Sequence, residues 1–389
     1  MNGRKMPRRE MLRLAGLATA AGLCGLGTAG CERERPYVVD RRNRRGHPRR
    51  FVPVEVRPDR LVRSTVGLRP YRNTGFRLEA ERLDGKQLIH LYGHGGGGIT
   101  LSWGSANLAV GLIEGASPPG PAAVIGAGVI GLTTAILLQC LGYDVTIYTA
   151  AAWPHTTSNA SAATFYPSHV IAAEHVTPQF TATLEAALSR SYHAFQRLTG
   201  RRYGIRWSDS FTILDAGAQT VAPPADVETQ VHLKVVGDTA RELARGEHPF
   251  GERRVIMGNE LVIEPMTYLR ALLEDFRSGG GVLRIRRFDT LRDVAGLTER
   301  TVFNGTGLGA RTLVGDTELR PARGQLCVLP PQPEVDYTLY HGPFYYMVPR
   351  EDGIILGGTF QLDDERTTAD EDDSRKIVAA HQAVFDAMG

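Results

Sequence analysis

The run Gly126-Ala127-Gly128-Val129-Ile130-Gly131 constrains this chain more than any other feature. It lies between an apolar segment, residues 122–125, that reads as a buried strand and residues 132–141, which read as a helix; residues 145–148 read as the next strand. Each glycine at this spacing has its own task. Gly126 permits the tight turn, Gly128 lets the backbone approach a pyrophosphate, and Gly131 lets helix pack on strand. The helix then turns its unpaired N–H groups toward the phosphates. The spacing predicts a dinucleotide site held by Gly126, Gly128, Val129, Ile130 and Gly131. It does not separate NAD from FAD. The acid that usually grips the ribose at the end of the second strand is replaced by Thr149-Ala150-Ala151, and Asp144 stands at the strand's opposite end.

Strands and helices continue to alternate. Residues 180–198 and 264–277 show helical periodicity, the second closed by Gly279-Gly280-Gly281. Residues 301–304 read as a strand entering a glycine turn, 326–329, 345–348 and 354–356 as further strands, and 375–388 as a helix. This alternation predicts an α/β architecture with a doubly wound, mostly parallel sheet. With 389 residues, 42% of them hydrophobic and 22% charged, the chain can bury the cores of two domains. Upstream, residues 87–91 read as a strand and 105–112 as a helix. Ser117-Pro118-Pro119-Gly120-Pro121 then forms a linker, taken as 116–121, after which the pattern starts afresh.

The N-terminus reads as a leader and not as fold. Arg8-Arg9 before Met11-Leu12-Arg13 gives a twin-arginine start, followed by a weakly apolar stretch too short for a stable membrane span. Thr28-Ala29-Gly30-Cys31 resembles a lipoprotein cleavage box, so residues 1–31 predict an exported chain anchored to the membrane by a lipid at Cys31. Residues 32–59 form a spacer whose first part, 32–50, holds eight arginines and three acids. The net charge is +3 and only four of the 45 basic residues are lysine; no aromatic-and-basic stripe accompanies them, which argues against nucleic acid. Cys140 and Cys327 are expected as buried free thiols, and no Cys/His cluster has metal-ligand spacing.

Several short segments together resemble the D-amino acid oxidase and D-aspartate oxidase family. They are Thr156-Thr157-Ser158-Asn159-Ala160 with Ala162-Ala163 and Tyr166-Pro167, Phe303-Asn304-Gly305-Thr306-Gly307, Arg323-Gly324-Gln325, Tyr346-Met347-Val348-Pro349, and Leu356-Gly357-Gly358-Thr359-Phe360-Gln361. They stand in the family's order and near its spacing. Two further signatures that close the family's sequence are found upstream instead: Gly67-Leu68-Arg69-Pro70, and Tyr92-Gly93-His94-Gly95-Gly96-Gly97-Gly98-Ile99-Thr100 with Trp103-Gly104. The resemblance thus covers about residues 60–389 in permuted order. Reconnecting neighbouring termini of a compact domain is commonly tolerated.

The resemblance implies non-covalent FAD, contacted by the fingerprint glycines, by Thr156, Thr157, Ser158, Ala163, Thr164 and Leu308, and by Gly95, Gly96, Gly98, Ile99 and Thr100. It implies that Arg69 pairs with the substrate carboxylate through its planar fork, that Tyr346 donates to the same group, and that Gly96 borders the substrate. A second tyrosine four residues before Tyr346 is usual in the family, and Gly342 occupies that place. No general base is implied. The α-hydrogen leaves a neutral amine as hydride, so Arg69 and Tyr346 act by positioning, and His94, His155 and His341 are expected in loops or at the rim.

The expectation is a Rossmann-like FAD-binding domain built from 60–115, 122–173, 262–323 and 353–389. A smaller, mainly antiparallel α+β substrate domain comes from 174–261 and 324–352. The expected activity is oxidation of small-molecule D-amino acids by oxygen, giving 2-oxo acids, ammonia and hydrogen peroxide. The alternatives are a dehydrogenase that passes electrons to a quinone or carrier, and a non-catalytic flavin-binding surface lipoprotein.

Overall fold

The computed structural model describes residues 51–114, 119–162, 164–214, 226–342 and 344–388. The expected leader, Cys31 and most of the arginine-rich spacer lie outside the described residues, as do part of the linker and Ala163.

The chain runs β1 (Arg63–Arg72), β2 (Arg77–Leu83), β3 (Lys86–Tyr92), α1 (Gly98–Val110), β4 (Pro121–Ile125), α2 (Val129–Cys140), β5 (Asp144–Thr149), α3 (Pro178–Arg197) and β6 (Ile205–Ile213). There follow α4 (Val227–Val236), β7 (Arg241–Glu242), β8 (Val255–Ile263), α5 (Pro265–Ser278), β9 (Val282–Ile285), β10 (Thr301–Asn304) and β11 (Leu319–Leu329). Last come β12 (Tyr337–His341), β13 (Tyr345–Arg350), β14 (Gly353–Gly357), β15 (Gln361–Leu362) and α6 (Glu371–Asp386).

Two sheets result. The first has the order β2-β3-β10-β4-β5-β9 and is parallel apart from the β2–β3 hairpin. Its central strands are buried on both faces, which suits their unbroken apolar runs. One face packs on α1, α2, α3 and α5, where Leu101, Leu132, Leu188 and Leu272 share a core; the other closes on Phe288, Val294, Leu297 and Leu313. The expected α/β sheet is present, and β3, from the segment before the linker, lies inside it beside β10.

The second sheet has the order β1-β11-β14-β13-β12-β6-β8-β7, with β15 on β11; only the β12–β6 pairing is parallel. It is mainly antiparallel, as expected, but with nine strands it is the larger sheet. Its membership also differs from expectation. Residues 63–72 and 353–357 were assigned to the flavin-binding unit, yet they form β1 and β14 of this sheet, and α6 packs on its outer face through Ile377, Val378, Val384 and Phe385. The cause is pairing: β1 matches β11 over ten residues, Arg63 opposite Val328 to Arg72 opposite Leu319.

α1 begins at Gly98 and not at residue 105, so the glycine run enters the helix directly. A side chain at Gly104 would strike the carbonyl of Ala187 on α3. Glycine serves close helix packing there, a purpose that hydrophobic periodicity does not register. The linker is also shorter than expected, because Pro121 opens β4 opposite Asp144. Cys327 is a buried free thiol. Cys140, at the end of α2, is only partly buried.

Candidate active site

A cavity of about 1120 Å³ opens between the two sheets. At its phosphate end, β4 leads through Gly126 (φ +112°) into α2. A side chain at Gly126 would meet the carbonyl of Gly305, and one at Gly131 would meet the carbonyl of Gly126. Gly126, Gly128, Val129 and Ile130 line the cavity; Gly131 lies behind them as the contact between helix and turn. The Val129 N–H donates to Ser158 Oγ at 3.1 Å, which ties the 156–158 loop to the helix start. Thr156, Thr157, Ser158, Thr164 and Leu308 also line the cavity.

The second loop arrives from β3. Gly95 has φ +54°, and a side chain on it or on Gly96 would collide with His169 or Ser168. Only glycine fits between these backbones. Gly95, Gly96, Gly98, Ile99 and Thr100 line the cavity, where the start of α1 has no side-chain cap and points its first N–H groups inward. Thr100 Oγ1 donates to the carbonyl of Tyr166 at 3.0 Å, so its hydroxyl braces the helix start.

Arg69 and Tyr346 meet although they come from distant parts of the sequence. Arg69 stands close enough to the Tyr346 hydroxyl to lower its pKa, and Arg69 Nη1 donates to the carbonyl of Thr359 at 3.3 Å. The Arg69 guanidinium stands 5.8 Å from the Phe360 ring, which His169 stacks at 4.3 Å on centroids. A side chain at Gly324 would occupy the place of the guanidinium, and one at Gly357 would strike the Tyr346 ring. Two of the glycines in the quoted motifs therefore exist to make room for these two side chains. Burial pushes the Tyr346 hydroxyl above its ordinary pKa while Arg69 pulls it down; it stays protonated and able to donate.

His94 lies in the glycine loop that lines the cavity, as expected. It is buried, stacked on Phe76 at 4.7 Å, and burial lowers its pKa to about 3. His341 is buried likewise, and only His155 is exposed, at the cavity mouth. At the missing ribose acid, the end of β5 is bordered by Arg286, Arg287, Phe288 and Asp289, which line the cavity. Sequence reading passed over Tyr340 and Glu260 as well. Tyr340 is the cross-strand partner of Tyr346 and donates to Glu260 Oε2 at 2.7 Å. The register of β12 on β13, which no short motif encodes, would have revealed it.

The family model described as FAD dependent oxidoreductase (DAO) matches residues 122–388. The chain belongs to the DAO family of FAD dependent oxidoreductases. This DAO-family chain is 26% identical to a D-amino acid oxidase of Dugesia ryukyuensis over 279 residues, 68% of this chain and 78% of the relative. It is 31% identical to a D-amino-acid oxidase of Rubrobacter xylanophilus over 242 residues, 61% of this chain and 69% of the relative. Its fold is similar to that of glycine oxidase from Geobacillus kaustophilus, with a TM-score of 0.52 at 17% identity, covering 68% of this chain and 77% of the other. The cofactor of the DAO family is FAD, and the two glycine cradles that admit no side chain fit it.

Proposed function

We propose that this enzyme carries out oxidative deamination of D-amino acids, with oxygen as electron acceptor. The observation that carries the reading is the Arg69–Tyr346 pair, set by Gly324 and Gly357 into the cavity that the fingerprint glycines also line. The D-amino acid oxidases to which the chain is similar support it.

Gly126, Gly128 and the start of α2 would hold the pyrophosphate of FAD, and Gly95–Gly97 with the start of α1 would face its ring. FAD supplies, when bound, a two-electron acceptor for the substrate's α-hydrogen. Arg69 binds the substrate carboxylate through N–H groups left over after its bond to Thr359, and Tyr346 adds a neutral donor. Together they fix the Cα–H direction, which is the positioning work the reaction asks of side chains. The uncapped N–H groups at the start of α1 favour negative charge that develops beside them. The imino acid released hydrolyses to a 2-oxo acid and ammonia, and oxygen becomes hydrogen peroxide.

Residues 60–115 supply, in this reading, what the family carries at its C-terminus. Support comes from a family match that begins only at residue 122, while β3, the glycine loop and Arg69 complete the cavity from before it. The decisive experiment is anaerobic mixing of the yellow holoenzyme with D- and L-amino acids. D-isomers should bleach the flavin and consume oxygen in air; bleaching by L-isomers alone, or turnover only with a quinone, would overturn the reading.

The reading includes export in folded form through Arg8-Arg9 and anchoring at Cys31, supported by the leader's residue pattern. Among the described residues no helix is long and apolar enough to cross a membrane. Replacing both arginines by lysine should retain the enzyme inside the cell, and Cys31→Ser should free it from membranes. Wild-type enzyme found free in the cytoplasm would refute the targeting.

A further inference from the structure

Beyond the Arg69 corner, the cavity wall on the second sheet carries an acid with no role in carboxylate binding. Glu260, on β8, lines the cavity on the same sheet face as Ser210 and Thr212 of β6 and Tyr340 of β12. Tyr340 donates to Oε2 at 2.7 Å and Thr338 donates to Oε1, so each carboxylate oxygen has one donor and keeps a free lone pair. Burial raises the Glu260 pKa, and the two donated hydroxyls together with Arg206 oppose that rise. The basic side chain that acts on Glu260, Arg206, does so at longer range and feels Glu264 and Glu351 ahead of it.

We propose that the preferred substrates carry a positively charged side chain whose head pairs with Glu260 while Arg69 holds the carboxylate. This rests on the amine-oxidising reading above and names its substrate class. Three observations support it. An acid at the wall of a low-dielectric cavity, without an ion-pair partner among the described residues, is an electrostatic demand for a cation and rejects a second carboxylate. Both oxygens of Glu260 bond side chains of β12, the strand directly beside β13, so its carboxylate reaches back toward Tyr346. A substrate side chain anchored near Tyr346 meets it across Tyr340, the cross-strand partner of Tyr346. Tyr340, Thr212 and Ser210, which line the cavity on the same sheet face, each carry a hydroxyl.

The test is kcat/KM of the holoenzyme for D-arginine, D-lysine, D-norleucine and D-aspartate. The two cationic substrates should exceed D-norleucine by about 10- to 100-fold, and D-aspartate should be poorest. Glu260→Gln keeps the side-chain shape and one acceptor oxygen but no charge; it should bring the ratio of D-arginine to D-norleucine near one at unchanged flavin content. Preference for D-norleucine or D-aspartate in the wild type, or an unaltered ratio in Glu260→Gln, overturns the proposal. Should Glu260→Gln fail to fold, titration of wild-type flavin absorbance decides: 6-aminohexanoate should perturb it at about tenfold lower concentration than hexanoate, and equal potency overturns the idea. Bleaching by neutral but not cationic D-amino acids would defeat this inference alone. No bleaching by any D-amino acid would defeat the functional reading beneath it.

Discussion

Removal of the Arg69 guanidinium tests how the cavity binds its substrate. In Arg69→Ala, Tyr346 loses a neighbouring positive charge, the Thr359 carbonyl loses a donor, and a substrate carboxylate would enter a desolvated corner without a counter-charge. Truncating one partner of a buried, hydrogen-bonded charge pair costs about 2–5 kcal/mol, most of it the penalty of the stranded charge. At about 1.36 kcal/mol per tenfold this is roughly a 30- to 5000-fold loss in kcat/KM. Arg69→Lys restores charge without the planar fork and should recover only part of the loss. The assay is anaerobic flavin reduction over a range of D-amino acid concentrations, with the FAD content of each variant measured in parallel. FAD content should stay near wild type, since Arg69 lies away from the fingerprint turn. Activity within a few-fold of wild type, or loss of FAD in place of activity, would show that Arg69 serves structure and that the carboxylate binds elsewhere.

Three further outcomes are expected. Gly126→Ala introduces a side chain at φ +112° against the Gly305 carbonyl, so the protein should purify largely without FAD; normal yellow protein would refute the cradle. Arg323 is fully buried, bonded to Asp373, Gln325, Gln361 and the carbonyls of Arg366 and Thr368; Arg323→Ala should lower stability by about 3–5 kcal/mol in denaturant titration, and a loss under 1 kcal/mol would refute its role as anchor of α6. Burial lowers the His341 pKa to about 3, so the unfolded chain takes up a proton there that the folded chain refuses. Its contribution to stability is intact well above the unfolded pKa of about 6.5 and falls by about 2 kcal/mol on acidification to pH 5; His341→Phe should flatten the fall in Tm between pH 7 and pH 5, and an unchanged slope would refute the assignment.

The phosphate end of the cavity was legible because its chemistry is local: strand, glycine turn and helix occupy consecutive residues 121–140 and each step constrains the next. The segments around Arg69 and Tyr346 were legible only as a family resemblance. Nothing in their own spacing says that they meet, since the meeting depends on β1 adding to β11 and on β13 lying beside β14. Glu260 and Tyr340 stayed hidden for the same reason. A carboxylate two residues from Gly258 in a half-polar strand looks like a solvated surface position, and only the sheet order turns it inward. The start of α1 was misplaced because glycine and serine, chosen there for close approach to α3, are the residues that ordinarily signal a turn.

The pairing of β1 with β11 has a consequence for synthesis. Arg69 and the Thr359 carbonyl that receives its hydrogen bond are 290 residues apart in the chain. At about 5–20 residues per second a ribosome needs roughly 15–60 s to cover that interval. For most of it β1 has emerged while its sheet partner has not, leaving a ten-residue edge with its peptide groups unpaired. The arginines at positions 63, 69 and 72 keep that edge charged while it waits. The cavity cannot close around its cofactor until the segment through Phe360 has been made, so FAD capture must follow synthesis of both of its walls.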